Sequence, residues 1–191
     1  MAGWSHEHRR LGRHGASVNT PSGPWAILFD LDDTLVQTAQ LKALRDRRAW
    51  PEVYKALGQS LVADGTVELI AAARELGEVG VVTMAPRPYA ERVLAHHGLD
   101  LQVIVAYHDV QRRKPHPEPI LTAARLLGVP LDHTVYIGDE PRDLVSAHEA
   151  GAFAIGLSQG SLQTAQEAEL AVTIARDWRE VLDALHRLIG A

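Results

Sequence analysis

One repeated order of segments constrains the fold of this chain more than any other feature. Four times, a segment with helical periodicity is followed by a glycine and then by a short apolar run. The glycines that separate the predicted helices from the predicted strands are Gly77, Gly98, Gly128 and Gly151. Strands that alternate with helices are typical of βαβ units. We therefore expect the α/β class, with a doubly wound parallel sheet.

The length of the chain limits it to one core domain. Its 191 residues, 46% of them hydrophobic, are enough for one domain with a substantial core. We assign 25–191 to that domain and expect 1–24, which has no apolar periodicity, to be a disordered extension. Two helix-like pieces lie in a connection at about 36–63, which is longer than an ordinary loop. We interpret it as a minimal helical cap.

Composition argues against several classes of protein. The chain has no cysteine, so disulfides and thiolate metal sites are excluded. A net charge of −5, with 19 scattered basic residues, gives no evident face for nucleic acid. No apolar run reaches the roughly 18 residues that span a bilayer. We expect a cytoplasmic protein that binds neither membranes nor nucleic acid.

Polar residues follow three of the predicted strands. Asp30 and Asp32 come directly after the apolar run at 25–29, Thr83 follows the run at 79–82, and Asp139 follows the run at 134–137. The ends of parallel strands lie along one edge of the sheet, which is where open α/β folds bind their ligands. We therefore expect these carboxylates and the hydroxyl to meet in one crevice.

This set of residues fits phosphoryl transfer. A carboxylate such as Asp30 can attack phosphorus and form an acyl phosphate. Asp32, two residues later, is placed to protonate the leaving oxygen and then to activate water. Carboxylates at this density repel one another and suit Mg²⁺, to which Asp139 would add a ligand. Asp143 would bind the metal through water or orient its ligands.

Each motif taken alone also has an ordinary structural interpretation. The Asp-rich turn at 30–34 would serve as a polar turn or helix cap, and Thr83 as a hydroxyl at the end of a strand. The pair Asp139 and Asp143 would form a turn with an N-cap, and Lys114 would be a solvated residue before a helix. The functional interpretation is stronger because it explains all four in chain order.

With these residues in view, the chain resembles the haloacid dehalogenase superfamily over about 26–157. Asp30-Leu31-Asp32-Asp33-Thr34-Leu35 is similar to its first motif, Thr83 to its second, Lys114-Pro115 to its third, and the segment from Gly138 to Asp143 to its fourth. The resemblance implies a Rossmann-like core and a phosphatase, since the dehalogenases lack an acid at the position of Asp32.

The resemblance also implies a role for each of these residues. Asp30 would be the nucleophile and Asp32 the acid and base, while Thr83 and Lys114 would bind phosphate. Mg²⁺ would be held by Asp30, the Asp32 carbonyl and Asp139, with support from Asp143. The substrate would be a small phosphorylated metabolite or a larger phosphorylated molecule.

Several points stay open at this level. Arg87 and Arg142, in the turns after Thr83 and Asp139, are candidates for substrate contact, as are Arg45, Arg48 and Trp50 in the predicted cap. A phosphotransferase or mutase of the same superfamily is the nearest alternative function. A domain that only binds a phosphorylated ligand is another, although binding alone does not need both Asp30 and Asp32. The sequence identifies neither the substrate nor the oligomeric state.

Overall fold

A computed structural model of the chain describes residues 23–101, 103–158, 162 and 165–190. The strands are β1 (Trp25–Phe29), β2 (Val36–Gln37), β3 (Leu61–Val62), β4 (Gly77–Val82), β5 (Val103–Val105), β6 (Thr134–Gly138), β7 (Phe153–Leu157) and β8 (Thr173–Ala175). The helices are α1 (Lys42–Asp46), α2 (Trp50–Lys55), α3 (Thr66–Leu76), α4 (Arg87–His96), α5 (Glu118–Leu127), α6 (Pro141–Ala150), α7 (Ala165–Leu170) and α8 (Trp178–Ile189).

Six of these strands form one sheet in the order β5-β4-β1-β6-β7-β8. Every neighbouring pair in it is parallel. The chain builds outward from β1 to β5, returns to the other side of β1 and builds outward again to β8, which confirms the predicted doubly wound sheet. Such a reversal leaves a crevice outside the carboxyl ends of the strands beside it. Here those strands are β1 and β6.

Helices cover both faces of the sheet. Every residue of β1 and of β6 is buried, as expected for central strands of a parallel sheet. Side chains alternate along β1: Ile27 and Phe29 pack in the core that α3, α4 and α8 cover, and Leu28 packs in the core that α5 and α6 cover. Because β1 and β6 are packed between the two cores, the residues that follow these strands have defined positions.

The glycine pattern has two physical causes. Gly98, Gly128 and Gly151 adopt the left-handed conformation just after helices, with φ of 66°, 69° and 79°. Gly77 differs because its backbone is extended and it is the first residue of β4. A Cβ atom there would lie 2.2 Å from the Trp25 carbonyl oxygen. Close approach of β4 to β1 therefore explains Gly77.

The 36–63 segment folds as a small unit over the edge of the crevice. Its strands β2 and β3 pair in an antiparallel manner, and α1 and α2 lie between them. Leu41 and Val53 of this unit are completely buried, which attaches it to the larger core.

Two further sequence predictions concern the ends of the chain and membranes. The predicted extension at 1–24 falls, as far as residue 22, outside the described residues. Across the described ranges, no helix has the length and apolar character required to cross a membrane.

Candidate active site

Asp30 stands at the carboxyl end of β1, where the sheet fixes its backbone. Its amide donates a hydrogen bond to the Ile137 carbonyl at 2.9 Å, which continues the pairing of β1 with β6. The residue itself is 8% exposed and lines the crevice. The turn that follows reverses the chain at Asp33, a non-glycine residue with a φ of 63°. The carboxylate of Asp30 therefore has a defined position at the edge of the crevice.

Lys114 is buried beside Asp30 and neutralises part of the site. Its ammonium donates to Asp30 Oδ1 at 2.8 Å, to Asp143 Oδ1 at 2.6 Å and to the Tyr136 hydroxyl at 2.8 Å. Its side chain is only 1% exposed. Burial by itself would lower the pKa of Lys114. The nearby carboxylates of Asp143 and Asp30 together have the larger effect, so the pKa is raised. Lys114 is therefore an internal cation and not a solvated residue before a helix.

Three carboxylates converge at the same place. Oxygen atoms of Asp30, Asp139 and Asp143 all lie within 4.8 Å of one another, and all three residues are buried. The Thr34 hydroxyl donates to Asp139 Oδ1 at 2.8 Å and orients it. Burial raises the pKa of Asp30 to about 8, although Lys114 opposes the shift. Burial also raises the pKa of Asp139 to about 6.

These properties fit a divalent metal ion. The cluster brings three buried carboxyl groups together, and the ammonium of Lys114 bonds to two of them, Asp30 and Asp143. Hard oxygen donors of this kind are the ligands that Mg²⁺ prefers. The Asp32 carboxylate points to other partners, so any contribution of Asp32 to such an ion would come from its main-chain carbonyl.

Asp32 lines the same crevice and is held by a different set of side chains. Its Oδ1 atom accepts hydrogen bonds from the hydroxyls of Thr38 and Tyr89, both at 2.7 Å, and forms an ion pair with Arg45. Tyr89 is completely buried. Burial, together with the charge of Asp32, raises the pKa of Tyr89 well above its usual value, so the hydroxyl stays protonated and donates.

Thr83 follows β4 at the same edge of the sheet. Its amide donates to the Val105 carbonyl at 2.9 Å, and its hydroxyl accepts a bond from the Ala85 amide at 3.0 Å. The residue is 5% exposed and lines the crevice. The sheet thus brings Asp30, Asp32 and Thr83 to one opening, as expected from the ends of their strands.

The crevice has a volume of about 430 Å³, which is in the usual size range of small-molecule sites. Asp30, Asp32 and Thr83 line it from the sheet, and Arg45, Arg48 and Trp50 line it from the 36–63 segment. Lys114, Asp139 and Asp143 are buried and do not line it.

The two arginines predicted to contact substrate differ in their positions. Arg142 lines the crevice, where it forms an ion pair with Glu140. Arg87 does not line it, because its guanidinium donates to Asp109 Oδ2 and to the Ile104 carbonyl, both at 2.6 Å. Those bonds tie the start of α4 to β5 and to the loop after it. The prediction of substrate contact is therefore not supported for Arg87.

Sequence reasoning missed four residues that complete the site, namely Tyr89, Tyr136, Thr34 and Thr38. Tyr136 lies inside β6, and its hydroxyl joins Lys114 to the Val82 carbonyl. A tyrosine in an otherwise apolar buried strand is a detectable signal, because its hydroxyl needs a partner there. Tyr89 gave no such signal, because its contact with Asp32 depends on how α4 packs.

The fold of this chain is shared with proteins of known structure. A hydrolase of the haloacid dehalogenase superfamily, subfamily IA, from Geobacter sulfurreducens has a TM-score of 0.67 at 18% identity. The match covers 84% of this chain and 99% of that chain. It establishes the shared fold.

Two curated relatives are more similar in sequence. N-acetylmuramic acid 6-phosphate phosphatase of Pseudomonas aeruginosa is 34% identical over 131 residues, which are 66% of this chain and 58% of that protein. Phosphoglycolate phosphatase of Salmonella paratyphi A is 36% identical over 86 residues, which are 43% of this chain and 33% of that protein. The chain thus matches between a third and three fifths of the length of these relatives.

The family model of haloacid dehalogenase-like hydrolases matches residues 45–157. That range includes Thr83, Lys114 and Asp139, while Asp30 and Asp32 precede it. The match covers more than half of the chain, and the fold and the relatives agree with it. The chain therefore belongs to the haloacid dehalogenase-like hydrolase family.

Proposed function

We propose that the protein is a Mg²⁺-dependent phosphomonoester hydrolase that acts through an aspartyl-phosphate on Asp30. The observation that carries this proposal is the pairing of Asp30 with Lys114 at 2.8 Å, next to Asp139 and Asp143, where Asp30 alone of the four faces the crevice. In-line phosphoryl transfer needs a fixed nucleophile and positive charge beside the phosphate. Here the carboxylate of Asp30, the buried ammonium of Lys114 and the candidate metal site would supply them.

The proposed reaction has two steps. In the first, an oxygen of Asp30 attacks phosphorus, the bond from phosphorus to the ester oxygen breaks, and Asp32 gives its proton to the leaving oxygen. In the second, water attacks the phosphorus of the acyl phosphate and Asp32 takes a proton from it. The bond from phosphorus to Asp30 then breaks, which releases inorganic phosphate and restores both aspartates.

The remaining residues assist these steps. Asp30, Asp139 and the Asp32 carbonyl would hold Mg²⁺, with Asp143 in support; when bound, the ion neutralises charge on the phosphoryl oxygens. Thr83 would donate its hydroxyl to the phosphate. Lys114 would contribute positive charge beside it, and its bonds to Asp30 and Asp143 also keep the nucleophile in place.

The relatives and the size of the crevice support a small phosphorylated substrate. The two relatives named above are phosphatases of small phosphorylated compounds by name, so we propose a small phosphorylated metabolite as substrate. The cytoplasmic location expected from the sequence stays a proposal. We also propose that the 36–63 segment is the cap, because it supplies Arg45, Arg48 and Trp50 to the lining. Arg48 lines the crevice and is exposed, so the crevice is open to water on the side of this cap. Access of water to the proposed acyl phosphate would favour hydrolysis over transfer of the phosphoryl group to a second hydroxyl.

Phosphate release from a panel of phosphomonoesters, with and without Mg²⁺, tests the proposal. Asp30→Asn should lower turnover by about a thousandfold or more, because the amide is not a nucleophile. Asp64→Asn is the matched control, since Asp64 is exposed and does not line the crevice. EDTA should abolish activity and Mg²⁺ should restore it. Turnover retained by Asp30→Asn would refute the covalent route, and turnover retained in EDTA would refute the metal dependence.

A further inference from the structure

Asp32 is held through only one of its two carboxylate oxygens. Oδ1 receives the hydroxyl of Thr38, the hydroxyl of Tyr89 and the guanidinium of Arg45. Oδ2 accepts no hydrogen bond from any residue in the part of the chain that the structure describes. Two carboxylate oxygens offer about four lone-pair positions. The three donors therefore saturate Oδ1 and leave Oδ2 as the atom able to carry a proton.

We propose that Tyr89 and Arg45 are positioning residues that fix Asp32 through Oδ1 and so reserve Oδ2 for proton transfer to the leaving group. The inference rests on the proposed function, in which Asp32 is the general acid. It goes further by assigning the proton to one oxygen and by naming the side chains that make this assignment.

Packing fixes Tyr89 independently of its bond to Asp32. Tyr89 lies in the first turn of α4 and is fully buried. Its ring is 6.0 Å from the Trp50 ring, centre to centre, and the Arg45 guanidinium lies 5.6 Å from its centroid. The ring therefore has little freedom to turn. A hydroxyl on a ring held in this way defines a fixed position for the oxygen that it contacts.

Arg45 contacts the same oxygen of Asp32 from a second structural element. It belongs to α1 in the 36–63 segment, whereas Tyr89 belongs to α4 of the main core. The Arg45 and Asp32 side chains are 17% and 16% exposed, so the ion pair is largely shielded from water. Asp32 is thus oriented jointly by the small unit and the core. Misplacement of a reacting group by about 1 Å can reduce rates about a hundredfold, so the expected effect is on chemistry.

The first experiment compares two leaving groups with the Tyr89→Phe protein. Phenylalanine keeps the ring packing and removes only the hydroxyl. For an alkyl phosphate, whose leaving oxygen needs a proton, kcat/KM should fall about tenfold or more. For p-nitrophenyl phosphate, whose leaving group departs as an anion, the fall should stay below about threefold. An equal loss on both esters would overturn the inference.

Tyr54→Phe is the matched control for this comparison. Tyr54 packs beside Trp50 and beneath Arg92, but it does not line the crevice and is not among the hydrogen-bond partners of Asp32. Its variant should behave like the wild type on both esters. A thermal melt of each variant by circular dichroism establishes that the folded protein is being compared.

Arg45 variants provide a second, independent test. Arg45→Met should reproduce the leaving-group dependence with KM changed by less than about twofold, and Arg45→Lys should restore part of the rate by keeping one ion pair. Arg47→Met is the control, because Arg47 is exposed at the end of the same helix and does not line the crevice. A change confined to KM would make Arg45 a substrate anchor and would overturn the positioning role.

These outcomes separate the inference from the proposed function. If the wild type releases no phosphate from any ester, or if Asp30→Asn stays active, the proposed function itself fails. If the wild type is active and Asp30→Asn is not, the proposed function stands. An equal effect of Tyr89→Phe on both esters would then refute the positioning role alone.

Discussion

At the scale of single residues, Lys114 has a central place in the site. Its ammonium contacts Asp30, Asp143 and the Tyr136 hydroxyl at 2.6 to 2.8 Å. Burying a lysine costs a large solvation energy unless its charge is paired. Here two carboxylates compensate that cost, and the lysine in turn reduces the repulsion between them. The cation and the anions are therefore stable only together.

Removing this cation should destabilise the protein as well as inactivate it. In Lys114→Met, Asp30 and Asp143 would remain buried without their partner, and loss of one side of a buried ion pair costs about 3–5 kcal/mol. Urea unfolding in EDTA at about pH 8, where more of Asp30 is ionised than at neutral pH, measures this loss. The exposed Lys55→Met serves as control and should change stability by less than about 0.5 kcal/mol. Equal stability of the two variants would contradict the charge argument.

At the scale of elements, the junction of β6 with α6 combines a structural and a chemical use of Asp143. Its Oδ2 accepts the Glu140 amide at 3.1 Å as part of a capping box, while its Oδ1 accepts from Lys114. The N-cap and the functional interpretation of Asp143 are therefore compatible. One carboxylate starts the helix with one oxygen and supports the site with the other.

Gly138 makes room for this arrangement. A Cβ atom at Gly138 would lie 2.5 Å from Asp143 Oδ2, which is too close for any real contact. We expect Gly138→Ala to displace Asp143, to lower kcat by about a hundredfold and to weaken stabilisation by Mg²⁺. Steady-state kinetics and melts with Mg²⁺ measure both effects. Gly58→Ala is the control, since nothing lies within 4 Å of its added Cβ. Normal kinetics in Gly138→Ala would disprove this account.

At the scale of the whole molecule, the sheet collects charges that are distant in sequence. Thr34 and Asp139 are 105 residues apart, and Lys114 and Asp30 are 84 apart, yet each pair is hydrogen-bonded. This collection of charges links the stability of the fold to pH and to metal.

The direction of the pH effect follows from the raised pKa values. Asp30 and Asp139 have pKa values of about 8 and about 6 in the folded protein, against 3.8 for an unperturbed carboxyl. The folded state thus binds these protons more tightly than the unfolded state. The contribution of both groups to stability is complete below about pH 4 and is lost as pH rises toward about 8.

Metal should reverse this trend. Binding of Mg²⁺ requires ionised carboxylates, so its stabilising effect should increase with pH. We expect Mg²⁺ to raise Tm more at about pH 8.5 than at about pH 5.5, with a gain of about 2.7 kcal/mol at a concentration of 100 times its Kd. Thermal melts in EDTA and in MgCl₂ test this, with Asp139→Asn as the variant that should lose the effect. An equal rise in Tm with Mg²⁺ at both pH values would contradict this expectation.

Local signals in the sequence were sufficient for the class of fold and for the edge of the sheet that holds the site. Periodicity and glycines predict the alternating helices and strands. Of the residues after the strands, Asp30, Asp32 and Thr83 line one crevice, and Asp139 lies within 4.8 Å of Asp30 without lining it. These predictions succeed because strand direction in a parallel sheet fixes where a residue after a strand must lie. The chemical roles of Asp30, Asp32, Thr83, Lys114, Asp139 and Asp143 stay predictions until activity is measured.

Tertiary packing decided the partners of these residues. Arg87 bonds to Asp109 and not to the crevice, Tyr89 reaches Asp32, and Tyr136 joins Lys114 inside the sheet. Each contact joins residues from different elements, whose relative rotation depends on the packing of the whole core and not on any local pattern. The sequence by itself determined which groups reach the edge of the sheet, and only the tertiary structure determined which atoms of those groups stay free to react.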